Sequence, residues 1–200
     1  MSQVTNSNLN TKSNAKKLAC QKYEPGAEIP ILDSGVWQVD QGIVQLSRLR
    51  TDGNEVIVGF TTANGTFENS LSSPLVVSRA TALSDVDLQY YSQQDIAESP
   101  MLARRLLGGF CDRLEKTQQL STIILLNRIE ERLRQLLLML GQEIGISSAD
   151  GVRLQVRFTH QHLAHIIRTT RVTITNILGY FRNQGLICFD AKRHIIIKGL

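Results

Sequence analysis

Apolar residues recur along this chain with two different periods, and the change of period divides it. Between residues 22 and 91 the apolar runs are short. Residues 36–39 and 43–49 flank Asp40-Gln41-Gly42, the quartet Thr51-Asp52-Gly53-Asn54 precedes 56–60, and Ala63-Asn64-Gly65 follows. Turn residues between β-branched runs predict hairpins. Residues 76–77 and 86–91 complete a set of short strands whose spacing predicts a roll or barrel. From Pro100 the period lengthens to that of a helix, with Ser99 as its cap and Pro100 in the first turn. Leu107, Phe110, Leu114, Thr117, Ser121 and Ile124 follow the 3-4 alternation of a coiled-coil seam, which predicts a homodimer interface. Gly108-Gly109 interrupts this helix. Each Gly costs about 1 kcal/mol in a helix interior, so a close helix crossing is expected to compensate. A second helix is predicted from about Asn127 to near Gly145, with Leu133, Leu136, Leu137 and Leu140 on one face. Residues 146–153 read as a polar loop, and Val152, Leu154 and Val156 then alternate as a short strand.

The segment THQHLAHIIRTTRVTITNILGYFRNQGL, residues 159–186, carries the strongest signal. It predicts one helix over 160–167, with Leu163, Ala164 and Ile167 on an inner seam. A second helix starts at Arg171, with Thr170 as N-cap. Ile174, Ile177, Leu178 and Phe181 form its apolar stripe. Arg171, Val172, Thr175 and Asn176 fall on the open face. A forked donor, an apolar tip, a small hydroxyl and an amide are what a helix needs to read base edges in the major groove. After it, 187–189 and 194–197 flank the turn Asp190-Ala191-Lys192-Arg193 as a β-wing. The segment therefore reads as a winged helix-turn-helix.

Charge sharpens this reading. The chain carries a formal +4, but residues 151–200 hold eight Lys/Arg against one acidic residue, Asp190, so the remainder is net acidic. All four histidines, His160, His162, His165 and His194, lie in the basic part. A basic module joined to a mildly acidic one is the footprint of a nucleic-acid binder, with double-stranded DNA as partner. No run of eighteen apolar residues exists and the polar start lacks a secretory core, so the chain reads as cytoplasmic, with no membrane partner. Residues 1–18 read as a disordered tail. Cys20, Cys111 and Cys188 are distant from one another and offer no iron–sulfur ligand set. Residues 1–159 contain no histidine, which disfavours haem. His162 and His165 lack a nearby carboxylate or thiolate and read as phosphate-facing or solvated rather than as metal ligands. No P-loop, G-x-G-x-x-G or G-x-S-x-G is present, and the reading is of a non-enzyme without cofactor.

The order of these elements resembles the CRP/FNR family of bacterial transcription regulators over roughly residues 22–200. The match is most specific in SADGVRLQVRFTHQHLAHIIRTTRVTITNILGYFRNQGLI, where Arg171-Val172-Thr173-Ile174-Thr175 looks like the start of the recognition helix in cyanobacterial nitrogen-control regulators. The resemblance implies an α+β fold. Its parts are a shortened β-roll of the cyclic-nucleotide-binding type (19–98), a long dimerisation helix (99–126) and a winged helix-turn-helix (127–200). It implies a homodimer on a palindromic promoter site. Arg171 would read a guanine and Val172 a thymine methyl. Thr159, His160, Gln161, Thr170 and Thr173 would hold phosphates. The loop at 148–151 matches a surface by which relatives touch RNA polymerase.

Some positions depart from the family pattern. Arg168 stands where a turn glycine is common, and Asn176 where nitrogen-control regulators carry Arg. In the β-roll, Asn69-Ser70 replaces the ribose-binding Gly-Glu, and Ser73-Pro74 falls where the phosphate-binding Arg-Ser belongs. No arginine lies between Arg50 and Arg79. The cyclic-nucleotide pocket is therefore expected to be absent or collapsed. For 2-oxoglutarate, Arg113 matches an arginine in the dimer helix of the nitrogen-control branch, but Gln118 stands where its partner is Glu. Arg79 reads first as a solvated strand-edge arginine and second as a partner for a carboxylate. Two alternatives stay open: a protein-interaction module that keeps the fold with weak or no specific DNA binding, and a regulator gated by an unfamiliar small acid such as 2-oxoglutarate.

Overall fold

A computed structural model describes residues 20–31, 34–51, 53, 55–68 and 76–200. The chain has an α+β fold. Eight strands come first: β1 (Cys20–Tyr23), β2 (Glu28–Ile29), β3 (Val36–Gln41), β4 (Val44–Arg50), β5 (Glu55–Thr61), β6 (Thr66–Phe67), β7 (Val76–Ala82) and β8 (Val86–Tyr91). They form two four-stranded antiparallel sheets, ordered β1-β8-β3-β6 and β2-β7-β4-β5. Alternation along β8 buries Val86, Leu88 and Tyr90. With Trp37, Val39, Val44, Phe67, Ala80 and Ala82 these side chains fill the roll. Trp37 is buried whole because its indole N–H donates to the Pro30 carbonyl at 3.0 Å. The predicted strands are present. β1, β2 and β6 were not predicted: β2 and β6 have two residues each, and β1, Cys-Gln-Lys-Tyr, carries no apolar run. The predicted tail (1–18) and the substituted segment Asn69–Leu75 lie outside the described residues, as do Asp52 and Asn54 of the hairpin turn.

Five helices follow among the described residues. They are α1 (Gln93–Glu98), α2 (Pro100–Leu125), α3 (Ile129–Ile144), α4 (His160–Ile167) and α5 (Arg171–Asn183). Ser99 caps α2 and Pro100 occupies its first turn, as expected. α2 turns Leu106, Gly109, Leu120 and Ile123 inward. The expected helix crossing at Gly108-Gly109 needs correction. A Cβ on Gly109 would lie 2.8 Å from the Asn64 carbonyl oxygen, so the close approach is between α2 and the turn before β6. Gly108 faces open space. The second helix begins at Ile129 rather than Asn127, because Arg128 is still extended, at ψ 124°.

Residues 146–153 are not a loop. They form the hairpin β9 (Gly145–Ser148) and β10 (Gly151–Leu154), paired Gly151 with Ser148 and Leu154 with Gly145. β10 also pairs with the distant β12 (Ile195–Ile197), a neighbour that local pattern cannot reveal. With β11 (Ile187–Phe189) the sheet order is β11-β12-β10-β9. The wing is therefore one edge of a four-stranded sheet, and His194 belongs to its turn rather than to a strand.

One apolar core runs from the roll into the C-terminal region. It joins Ile43, Ile57 and Phe60 to Leu120 and Ile123 of α2, the Leu133, Leu136, Leu137 and Leu140 face of α3, and Leu163, Ile167, Ile174 and Phe181. Phe60 meets Phe158 edge-on at 6.0 Å, and Phe158 packs on His162 at 5.3 Å. Among the described residues no helix is long and apolar enough to cross a membrane.

Candidate nucleic-acid interface

The two helices of the motif begin where their caps dictate. The Thr159 hydroxyl accepts from His162 N at 3.0 Å and the Thr170 hydroxyl from Thr173 N at 3.1 Å. Each satisfies one of the donors a helix start leaves unpaired. α4 ends at Arg168 in the left-handed region, φ 56°, a conformation that glycine adopts more readily. Ile174, Leu178 and Phe181 of α5 are buried and Ile177 is half-buried, against Leu163, Ala164 and Ile167 of α4.

The opposite side of α5 is open. Arg171, Val172, Thr175 and Asn176 are all exposed, Val172 at 68%. Thr175 is the most committed of them. Its hydroxyl donates to the Arg171 carbonyl at 2.9 Å and lies 2.8 Å from His160 Nδ1. With its own proton spent on Arg171, the Thr175 oxygen can only accept, so His160 donates from Nδ1. The neutral ring then keeps Nε2 unprotonated. Burial, followed by the nearby charges of Arg171 and Arg193, holds the His160 pKa below its ordinary value. Arg193 of the wing thus stands within electrostatic reach of the recognition face, which the sequence reading did not assign.

Of the predicted phosphate-holding residues, His160 meets this face through Thr175. Thr159, Gln161 and Thr170 are exposed, and Thr173 is half-buried with its hydroxyl 2.8 Å from that of Thr170. Gln161 pairs with His165 at 2.6 Å. His162 does not face a phosphate or solvent: it reaches out of α4 to Gln45 Oε1 on β4. Gln45 is itself 7% exposed, so this is a buried polar contact between the roll and the helix-turn-helix. The wing turn is held by Asp190, which accepts from His194 N at 2.7 Å and contacts His194 Nδ1 at 2.8 Å and Arg153 at 3.6 Å.

Along α2 the predicted seam stays largely uncovered. Leu107 and Leu114 are 60% and 59% exposed, Ser121 is exposed, and Phe110, Thr117 and Ile124 are half-buried. Arg113 lies over the Phe110 ring and pairs with Glu68 at 2.9 Å.

Beside this seam the roll keeps a cavity of about 300 Å³, lined by residues that include Leu46, Arg48, Val58, Glu68, Phe110, Arg113 and Leu114. The segment Asn69–Leu75, on which the expectation of a lost cyclic-nucleotide pocket rests, lies outside the described residues, while the cavity lies between α2 side chains and the β4–β7 strand pair. Arg79 also borders it, but its guanidinium pairs with Glu28 at 3.2 Å and approaches Glu55 at 4.0 Å. Register explains the difference. Arg48 stands opposite Ser78 and donates to its hydroxyl at 2.6 Å, whereas Arg79 stands opposite Ser47, whose side chains leave the other face of the pair. Arg48 and Glu68 were missed by the sequence reading, because cross-strand register and a loop carboxylate carry no local signal.

A winged helix-turn-helix joined by a long, apolar-edged helix to a β-roll is the build of a dimeric-type DNA-binding regulator. Residues 131–200 match the Crp-like helix-turn-helix domain. Over 168 residues the chain is 31% identical to the global nitrogen regulator of Synechococcus elongatus, covering 79% of this chain and 75% of that protein. It is 28% identical to the regulatory protein CysR of the same organism, covering 80% and 74%. A CRP-family transcriptional regulator from Thermus thermophilus superposes with a TM-score of 0.76 at 17% identity, covering 90% of this chain and 92% of that one. The chain belongs to the CRP/FNR family of transcription regulators. Those relatives are regulators by name rather than enzymes.

Proposed function

We propose that this regulator acts as a homodimer that reads an inverted-repeat promoter site without cyclic nucleotide. The observation that carries the reading is the division of α5, with Ile174, Leu178 and Phe181 buried and Arg171, Val172, Thr175 and Asn176 exposed. Arg171 reads guanine, Val172 a thymine methyl, and Asn176 prefers adenine. Thr159, His160, Gln161, Thr170 and Thr173 hold phosphates. Leu107, Phe110, Leu114, Thr117, Ser121 and Ile124 form the dimer seam between 99 and 126. It links an effector body (19–98) to the DNA-binding part (127–200). The β9–β10 hairpin, with Ile146 and Val152 about 40% exposed, faces RNA polymerase at 148–151. The protein works in the cytoplasm.

Selection from random DNA tests this. The expected product is an inverted repeat with recognition helices ~34 Å apart. A directly repeated or asymmetric consensus overturns the dimer, and absence of any enriched motif favours a protein-interaction module. The open cavity favours a second reading alongside the first, gating by a small acid at Arg113. Arg79, paired on the other face, is the weaker candidate. Cyclic AMP at millimolar concentration is expected to give no saturable heat in calorimetry.

A further inference from the structure

The link between the dimer helix and the DNA-reading part is short and extended. α2 ends at its cap Leu126, ψ 142°, and α3 starts only after Arg128, ψ 124°. Such a link is a pivot unless side chains fix it. Arg132, in the first turn of α3, stands across it. Its Nε donates to the Leu126 carbonyl at 2.6 Å, and its Nη1 to the Ile167 carbonyl at 3.4 Å. Leu126 closes α2, and Ile167 is the last residue of α4. The final carbonyls of a helix lack intrahelical donors and carry the negative end of its dipole. One guanidinium thus serves two helix ends that converge on it. Its donors leave in a fixed plane, so gripping two carbonyls at once fixes an angle as well as a distance. Only the turn Arg168-Thr169 separates Ile167 from Thr170, the cap of α5. The grip on Ile167 is therefore a grip on the approach to the recognition helix.

α3 has a second tie to α2. Lys116 Nζ lies 2.6 Å from Glu143, near the end of α3, and 2.7 Å from Asp112 on its own helix. The Lys116 side chain is 14% exposed, so this ion pair is largely shielded from water. Arg132 and Glu143 stand roughly 16 Å apart along α3. A helix tied near both ends cannot turn about either tie. Apolar packing is non-directional and leaves such turning open. Of the two ties, Arg132 is the one that also reaches α4.

Resting on the reading of a dimer on an inverted repeat, we propose that Arg132 is a positioning residue for DNA recognition: it fixes the angle between the dimer helix and the recognition helix, and so the spacing between half-sites that the dimer accepts. Arg132 acts through Leu126 and Ile167 and needs no contact with a base or phosphate. One base-pair step is about 3.4 Å of duplex. Preference for a single spacing therefore requires the two recognition helices to be held to within about that distance.

Two measurements on the full chain test this. In the first, without DNA, Cys20, Cys111 and Cys188 are replaced by Ser, and nitroxides are attached at Gln119→Cys on α2 and Asn183→Cys on α5, both exposed positions. Excess unlabelled chain leaves only the distance within one chain. That distance is expected to be narrowly distributed with Arg132 in place. It should spread about twofold in Arg132→Lys, which keeps the charge and loses the planar fork, and in Arg132→Met, because the pivot is then free. An unchanged width in the folded variants overturns the proposal, whatever the protein does with DNA. In the second, random duplex DNA is selected by the unaltered protein and by Arg132→Lys. The unaltered protein is expected to return one spacing, and the variant the same half-sites at several spacings. Affinity of the variant for the preferred duplex should fall about tenfold, while affinity for a duplex with a single half-site stays within about twofold. A merely structural role weakens both duplexes together, and that result, or a variant that keeps the single spacing, overturns the proposal. No inverted repeat from the unaltered protein overturns the promoter-site reading and the spacing rule with it, while the label distances still decide whether Arg132 sets the angle.

Discussion

The helix-turn-helix displays its chemistry outward from one continuous segment, whereas the β-roll gathers its chemistry inward from four separate ones. In α5 a single helical period decides which side chains are buried and which meet a ligand. In the roll, Arg48 of β4, Ser78 of β7, Glu68 after β6 and Arg113 of α2 meet only because strand register and helix docking bring them together. Outward chemistry on a local scaffold can change specificity at little cost to folding. Inward chemistry assembled from distant segments ties recognition to packing.

The sharpest test of this contrast lies on the helix that joins the two regions. Leu114→Asp places like charges against each other across the expected two-fold seam, an unpaired buried charge costing on the order of 3 kcal/mol or more. Sedimentation should show monomers, and affinity for a two-half-site duplex should fall by roughly a hundredfold or more. A variant that stays dimeric moves the interface off this face.

Within the outward region, Arg171→Ala should remove about 1–3 kcal/mol of discrimination between the selected site and random DNA. Its melting temperature should stay put, because the side chain is exposed. Equal weakening on both DNAs would make Arg171 a phosphate contact only.

Inward packing predicts the opposite behaviour at two adjacent glycines. Gly109→Ala forces a Cβ to 2.8 Å from the Asn64 oxygen and from Thr66, and should destabilise by about 1–3 kcal/mol. Gly108→Ala meets nothing within 4 Å and should stabilise the helix by about 1 kcal/mol. Thermal unfolding of the pair should therefore shift in opposite directions. Two downward shifts would mean that Gly108 is covered in the dimer.

The contact between the regions is weaker still. A double-mutant cycle on Gln45→Ala and His162→Ala should return a coupling of about 0.5–1.5 kcal/mol in unfolding free energy. His162 is held below its ordinary pKa of 6.5, mainly by burial, with His165 adding and Glu55 opposing. A depressed histidine stabilises the fold above the unfolded value and loses that contribution as pH falls through the folded one. The coupling should thus shrink in acid, and a coupling indifferent to pH would place the pair outside the buried contact.

The smallest effect concerns His160. Nδ1 is committed to Thr175, so a phosphate contact needs a proton on Nε2. DNA should raise the depressed pKa, binding should take up a proton, and affinity should grow a few-fold as pH falls from 8 towards and below 6.5. His160→Ala should flatten the slope in anisotropy titrations, and a slope that survives excludes the contact.

The same contrast explains what the sequence disclosed. The N-cap Thr170, the helix starts at His160 and Arg171 and the wing strand 187–189 were all legible, because each depends on residues a few positions away. The seam of α2 was legible as a pattern. The strand β10 was legible by the alternation of Val152 and Leu154, but its partners were not: β9 is the polar stretch Gly145–Ser148, and β12 pairs from some forty residues later. Arg48 and Arg79 look alike in sequence, and only the pairing of Arg48 with Ser78 and of Ser47 with Arg79 separates them by face. His162 reads as a solvated helix residue until Gln45 and Phe158 close over it.

The apolar core that passes from Ile57 and Phe60 through Leu120 and Leu137 to Ile174 has a bearing on cooperativity. Two modules with separate cores melt and exchange amide protons independently, each with its own opening free energy. Here Phe60 of β5 and Ile174 of the recognition helix share one apolar cluster. Local opening of α4 uncovers Phe158 and with it Phe60, so the DNA-reading part cannot loosen there without cost to the sensor part. Amide protons of β5 and of α5 should then exchange through one shared opening event, slowing or quickening together when either end is perturbed.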